Sequence, residues 1–384
     1  MSVEGEGAGA SGLAKKLAPG APKRLLAIDG GGIRALIAIE ILAAIERHVA
    51  APLGEYFDYV AGTSAGAIVA SCIALGMSVE RIKGFYLDAG PKMFVRARPW
   101  RRLYYKYASD PLARALKKTF SPEDGAAGPF TLGSPDLQTL LLLVMRNATT
   151  DSPWALSNNP RGRYNAPDRG DCNLRIPLWQ LVRASAAAPT YFPPERVKVG
   201  SQEFLFVDGG VTPYNNPAFL LFLQATLEPY RLQWPTGPEK LLIVSVGTGT
   251  AAEAKANLLP RDLTLLHNAR HVPSALIHAA MNEQDLLCRI FGCCRHGAPL
   301  DEEVGDLLWS AGHAGHGLPK LFSYLRYTAD LSRDGLDGLG LPHLPAAGNL
   351  AIDSIRHMDD LQAIGQAASA QVIADHFAGF RGPG

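Results

Sequence analysis

Short apolar runs alternate with longer amphipathic stretches through most of this chain, and that rhythm decides the fold class. Residues 24–28 are a compact apolar run of strand length, and residues 33–49 repeat apolar positions at helical spacing. A second strand is expected over 57–61, then a small-residue helix from 65 to about 75. Ser78 stands as the N-cap of a further helix over 79–89. Residues 137–147 read as a helix running into a strand, or as a buried strand alone, and 176–188 as a helix. Phe204-Leu205-Phe206-Val207 forms a buried strand, 217–230 is helical, and 240–246 is a strongly apolar strand. Beyond Pro260 the pattern is mostly helical, with a late alternating strand over 324–331 and a closing helix over 358–377. Strand, helix, strand, helix at this spacing predicts an α/β fold: a mostly parallel central sheet flanked by helices, joined by right-handed crossovers. The Pro/Gly-rich residues 121–135 read as a loop. So do the polar, turn-rich residues 147–173, either a lid or an inert insertion.

Three glycine turns fall where expected strands end. In Gly62-Thr63-Ser64-Ala65-Gly66, an apolar run leads into Gly-x-Ser-x-Gly and a small-residue helix follows. That is the pattern of a nucleophile elbow, with Ser64 on a sharp bend and Gly62 and Gly66 letting strand and helix backbones approach closely. A Gly-rich connection with an idle serine would look the same. Upstream, Asp29-Gly30-Gly31-Gly32-Ile33-Arg34 joins the first strand to its helix. Successive glycines there can aim several N–H groups at one point, to hold a phosphate or an oxyanion. A phosphate loop would end Gly-Lys-Ser/Thr, and a dinucleotide fingerprint would have a third glycine where Ala35 stands. With a serine elbow on the next strand, the oxyanion reading fits better. Asp208-Gly209-Gly210 closes the third strand end, where ligands and catalytic groups gather in open α/β sheets. Asp208 and Asp29 both stand at strand ends, so either is a candidate partner for Ser64, or a turn-capping residue.

Composition adds boundaries. At 384 residues and 47% hydrophobic, the chain can bury a full core. With 37 basic against 36 acidic residues there is no overall pull toward nucleic acid or an anionic surface. Five scattered cysteines suit reduced thiols and a cytoplasmic setting. Cys288, Cys293, Cys294 and His296 have the wrong spacing for a zinc site, so buried inert thiols are expected. The apolar segments 67–75 and 140–145 fall far short of the roughly 20 residues a membrane crossing needs. One stretch departs from the average. Phe94, Trp100, Tyr104, Tyr105 and Tyr107 interleave with Arg96, Arg98, Arg101, Arg102 and Lys106. Such a mixture suits a membrane interface, a pocket for a phosphate-bearing ligand, or a loop with inward aromatics and wet arginines.

Asp-Gly-Gly-Gly-Ile-Arg, Gly-Thr-Ser-Ala-Gly and Asp-Gly-Gly, in this order, resemble the patatin-like phospholipases of bacterial type. The likeness extends to Ala184-Ser185-Ala186-Ala187-Ala188-Pro189-Thr190-Tyr191-Phe192 and Asn215-Asn216-Pro217, and spans roughly residues 24–249. It implies a three-layer sandwich related to the α/β-hydrolases and a Ser-Asp dyad, with Asp208 rather than Asp29 as the base of Ser64. The oxyanion hole would be Gly30, Gly31, Gly32 and Arg34, and no metal or cofactor is needed. The family often has glycine where this chain has Ala35, so the helix there would pack less closely. The implied activity is phospholipase A-type hydrolysis of glycerophospholipid esters, with acyl transfer to an alcohol as a variant. The substrate would be met by transient contact with a membrane surface. Some bacterial members are effectors switched on by cyclic nucleotides, which would make the Arg/aromatic stretch a sensor. The expected organisation is a flexible tail (1–22), a catalytic domain (23–256) and a mainly helical portion (257–384) packed on it.

Overall fold

The first apolar run lies at the centre of a nine-stranded sheet. The computed structural model describes residues 12–18, 20–123, 128–250, 259–309, 318–346, 348 and 350–380, with the side chains of 266 and 270 left aside. Its strands are β1 (Lys23–Ile28), β2 (Tyr59–Thr63), β3 (Leu140–Asn147), β4 (Ser152–Ser157), β5 (Glu195–Val199), β6 (Gln202–Asp208), β7 (Leu241–Val246), β8 (Gly292–His296) and β9 (Phe322–Tyr327). They run in the order β5-β6-β3-β2-β1-β7-β9-β8, with β4 also paired to β3. Strands β3, β2, β1, β7, β9 and β8 are mutually parallel, as the alternation of strands and helices predicts.

Because side chains alternate across a strand, β1 serves two cores. Leu26 and Ile28 join the apolar cluster built with helices Ala35–Val49, Ala65–Ala74, Leu178–Ser185 and Met358–Ser369. Leu25 and Ala27 face the opposite layer, with helix Ala218–Thr226 and Cys288 of helix Leu265–Phe291. Both faces of the sheet are therefore covered, which is why its central strands are apolar at nearly every position.

The register of β3 sets up the site. β4 pairs antiparallel with β3 over Leu142–Asn147, so every other partner of that stretch must use the opposite edge. β2 occupies this edge up to Thr63, opposite Val144. β6 runs the other way and takes the same edge from Asn147 back to Met145, which sits opposite Asp208. Two strands thus meet head-on along one edge, and the residues at the meeting point are Ser64 and Asp208.

Several expectations are revised in detail. The long loop expected over 147–173 contains β4, whose few buried side chains and Pro153 hide it from a periodicity reading. Its turn is fastened by Asn147, whose Oδ1 accepts from the amides of Thr149 and Thr150. Residues 137–147 give a strand with no preceding helix, and the closing helix stops at Ser369 before a short turn, Ala374–Phe377. The C-terminal portion supplies β8 and β9 to the sheet as well as helices. Within the expected tail, Gly12–Leu17 is helical, and Leu13 and Leu17 pack on the second core. Residues 1–11 of that tail, residues 124–127 of the expected 121–135 loop, and the expected boundary at 256/257 lie outside the described residues. Among the described residues no helix is long and apolar enough to cross a membrane.

Helices Ala35–Val49 and Met358–Ser369 approach closely at Gly365, where a Cβ would lie 2.9 Å from Ile37 Cα and 2.8 Å from Glu40 Cβ. Gly365→Ala should lower stability by about 1–2 kcal/mol in chemical denaturation, even though alanine favours a helix by about 1 kcal/mol.

Candidate active site

Ser64 is the residue between β2 and helix Ala65–Ala74, held at φ 56° and ψ −123°, a left-handed conformation that a side chain rarely adopts. The glycines on either side make this possible. A Cβ on Gly62 would lie 2.1 Å from Gly66 O, and one on Gly66 would lie 2.3 Å from Ile28 O. The bend is locked from behind by Ser185, whose Oγ accepts the Ser64 N–H at 2.9 Å and donates to Val144 O at 2.5 Å. One hydroxyl therefore pins the elbow to β3 at the level where β2 ends.

Ser64 Oγ donates to Asp208 Oδ2 at 2.5 Å, while Asp208 Oδ1 accepts the Gly210 N–H at 2.7 Å. Burial is the main influence on this carboxyl and raises its pKa from 3.8 to about 6, against the opposing pull of these hydrogen bonds and of the buried Arg183. Asp29, the other candidate, does not reach Ser64. Arg326 from β9 clamps it with bonds of 3.0 and 2.6 Å to its two carboxylate oxygens and also donates to Ser245 Oγ. Asp29 thus anchors the start of the glycine loop.

The loop is held at several points. Gly30 gives its N–H to Asn215 O (3.1 Å), and its own carbonyl accepts from Thr248 Oγ1 (2.8 Å). Ile33 N–H donates to Ile352 O (2.9 Å). The amides of Gly31, Gly32 and Ala65 have no acceptor among the described residues. Of the expected oxyanion-hole residues, then, Gly31 and Gly32 have open donors, whereas the Gly30 amide is already engaged. Arg34 is half-buried, with its Nε buried and lacking an acceptor among the described residues. Burial pulls its pKa down from the ordinary guanidinium value, with Tyr191 working the other way. Gly209 comes so close to β3 that a Cβ would lie 2.3 Å from Val144 O.

A narrow pocket, partly open to solvent, begins at Ser64 and Gly32 and continues between Ile68, Met93, Leu112 and Phe192. Its walls are almost wholly apolar, so a hydroxyl and a carboxylate meet at the end of a greasy channel. The Gly247-Thr248-Gly249 turn contributes through Thr248, beneath the glycine loop. All five cysteines are buried and free, and burial pushes Cys294 up to about 12.

Sequence reading left Ser185, Thr248, Arg326 and Ile352 without stated roles. The first lies in an alanine-rich run that resembles the family, and the second in the Gly-Thr-Gly turn that follows β7. The last two sit in the C-terminal portion, where no motif marks them.

A helix-covered, mostly parallel sheet with a serine elbow facing an aspartate defines a three-layer α/β protein of the kind that houses acyl-transfer sites. The family model for patatin-like phospholipase matches residues 26–222, just over half of the chain, and the chain belongs to that family. It is 31% identical over 250 residues to the mouse 85/88 kDa calcium-independent phospholipase A2, covering 60% of this chain and 27% of that one. It is 32% identical over 213 residues to a cGAMP-activated phospholipase of Vibrio cholerae, covering 51% of this chain and 56% of the relative. The chain thus spans about a quarter to just over half of these relatives' lengths. The crystal structure of VipD from Legionella pneumophila aligns at 16% identity over 89% of this chain and 67% of that one, with a TM-score of 0.36.

The buried Asp208 yields a stability prediction. Its raised pKa means that ionisation opposes folding as pH climbs from 3.8 to about 6. Asp208→Asn removes that penalty while keeping an acceptor for Gly210. The variant should therefore unfold at a higher temperature above pH 6, by at most about 3 kcal/mol in free energy, with the gain vanishing in strong acid. Calorimetry across pH measures it.

Proposed function

We propose that this protein is a lipid acyl hydrolase of phospholipase A type, cleaving carboxylic esters of glycerophospholipids with Ser64 as nucleophile and Asp208 as base. The observation carrying this reading is the 2.5 Å hydrogen bond from Ser64 Oγ to Asp208 Oδ2 at the end of an apolar pocket. Asp208 takes the hydroxyl proton as Ser64 Oγ attacks the ester carbonyl. A carboxylate of ordinary pKa is a weak base for a serine, and burial brings this one closer to the working pH. The open amides of Gly31, Gly32 and Ala65 receive the charge developing on the carbonyl oxygen. Each such donor is worth about 10²–10³ in rate. Asp208 then passes its proton to the departing lysophospholipid alcohol, and water, activated by the same carboxylate, frees the fatty acid from Ser64.

Two features favour a phospholipid over a short neutral ester. The pocket wall of Ile68, Met93, Leu112 and Phe192 suits an acyl chain. Arg34, half-buried near Tyr191, has no carboxylate partner among the described residues, which leaves its guanidinium charge for a phosphate. Relatives named for phospholipase activity support the same class. A second reading keeps this chemistry and gates it. The Vibrio cholerae relative and one from Escherichia coli are both named as cGAMP-activated phospholipases. Gating would appear as stimulation of hydrolysis by an added cyclic dinucleotide.

Incubation of the purified protein with mixed phospholipids, followed by mass spectrometry, should reveal free fatty acid and lysophospholipid. Ser64→Ala should lower that release by at least about 10⁴-fold while the fold is retained, and should abolish labelling by a fluorophosphonate. Full activity in that variant removes the proposal. Because the base must be ionised, kcat/KM should climb about tenfold per pH unit below about 6 and level off above it. A profile that is flat from pH 4 to pH 8 would show that Asp208 is not the base.

A further inference from the structure

Residues 89–109 carry six basic side chains and no acidic one, in a chain whose overall charge is +1. The structure divides this stretch into an anchored neck and an exposed tip. At the neck, Arg96 and Tyr107 pair across an antiparallel bridge, with Ala97 N–H to Lys106 O at 3.0 Å and Ala108 N–H to Val95 O at 2.9 Å. The amides of Lys106 and Tyr107 donate to Thr190 O and Tyr191 O, each at 2.8 Å. Tyr107 packs against Phe94 and Phe192, with centroids 5.3 and 5.7 Å apart, and its hydroxyl donates to Asp353 at 2.6 Å. Lys106 pairs with the same carboxylate.

The tip is turned by the short helix Pro99–Arg101, and its large side chains point away from the protein. Trp100 is 63% exposed, Leu103 87% and Tyr104 77%. Arg96, Arg98, Arg101 and Arg102 are exposed beside them, with no carboxylate partner among the described residues. Arg98 lies over the Trp100 ring at 5.5 Å. The sequence pattern left three readings for this stretch, and the structure splits it between them. Phe94 and Tyr107 are inward-packing aromatics, whereas Trp100, Leu103 and Tyr104 have no protein surface to cover them.

We propose that this hairpin is a docking element that seats the protein on an anionic phospholipid membrane. The occupant follows from the chemistry of the tip. Indole and phenol rings partition to the boundary between headgroups and acyl chains, a leucine enters the chains, and arginines take lipid phosphates. A soluble nucleotide would need a concave site, and these three side chains form a protrusion. The position fits as well. Met93 and Phe94 at one root of the hairpin, and Tyr191 and Phe192 that hold the other, line the pocket that leads to Ser64. Docking through the tip therefore brings the pocket mouth to the lipid surface. This inference rests on the reading of Ser64 and Asp208 as a phospholipid hydrolase, and it names where that enzyme meets its substrate.

The test uses the full chain with Ser64→Ala, which can bind lipid without consuming it. Cosedimentation is measured with vesicles of phosphatidylcholine alone and of phosphatidylcholine mixed with phosphatidylglycerol. Binding should favour the mixed vesicles. Adding Trp100→Ser, Leu103→Ser and Tyr104→Ser should weaken it by about tenfold or more, with thermal stability unchanged because all three side chains are exposed. With Ser64 intact, the same triple variant should lose hydrolysis of vesicle lipid yet keep its rate on a dissolved short-chain ester within about twofold. Undiminished vesicle binding by the triple variant overturns the proposal. So does a cyclic dinucleotide that binds the hairpin, is lost with Arg98→Glu and Arg101→Glu, and leaves the protein unable to associate with vesicles. Vesicle binding that depends on the tip, in a wild-type protein that hydrolyses no ester, would support the docking element and remove the hydrolase reading.

Discussion

The site depends on one collision of strands. β2 and β6 arrive from opposite directions on the same edge of β3 and stop one residue apart in register, at Thr63 opposite Val144 and Asp208 opposite Met145. Neither strand can advance without displacing the other, so the distance between Ser64 Oγ and Asp208 Oδ2 is set by the sheet. Two side chains 144 residues apart are brought together by the backbone ladders along β3. Ser185 reinforces this by bonding to the backbone of both β3 and the elbow. Such a site needs little ordering of long, flexible side chains, which would add an entropic cost to precise placement.

The same sheet assigns different duties to two aspartates at strand ends. Asp29 is fully buried, and without a partner its charge would be strongly unfavourable, so Arg326 meets both of its oxygens. The pair is spent on structure, holding β1, β7 and β9 together where the glycine loop begins. Asp208 is also buried, but its hydrogen-bond partners are a hydroxyl and an amide, and the Arg183 charge acts on it only at longer range. Burial raises the proton affinity of both carboxyls; the guanidinium opposes that rise at Asp29, whereas a hydroxyl and an amide do so at Asp208. The two aspartates thus differ in the charge of what they touch, a guanidinium at Asp29 and neutral donors at Asp208.

That distinction marks the limit of what the sequence could reveal. The strand–turn–helix character of 57–75, the glycine loop at 30–32 and the strand ending at Asp208 were legible because each is local: apolar period, small residues and a turn. Period and turns alone left Asp29 and Asp208 equal, and the resemblance favoured Asp208; the fold adds a long-range fact, the guanidinium 297 residues from Asp29 that holds both its oxygens. β4 escaped notice because an edge strand can be polar, and β8 because Gly292–His296 is short and, among the described residues, pairs with β9 alone. Ser185 sits in a run of alanines, where nothing distinguishes a structural hydroxyl from an idle one. The Gly30 amide looks like its neighbours in the sequence, and only the fold shows that Asn215 has taken it.

The family match ends at residue 222, yet the site continues past it. Arg326 fixes Asp29, Thr248 supports the Gly30 carbonyl, Ile352 O accepts the amide that follows the glycine loop, and Asp353 fastens the neck of the basic hairpin. The portion after 222 is therefore a structural part of the pocket, and its last segment ties two rims together: Ile352 holds the glycine side and Asp353 the hairpin side. A chain cut at the end of the matched region would keep Ser64 and Asp208 but lose the clamp on Asp29 and the acceptor of Ile33. The open amides of Gly31 and Gly32 point usefully only while the residues flanking them are held, so the geometry that would receive an oxyanion belongs to the whole sheet.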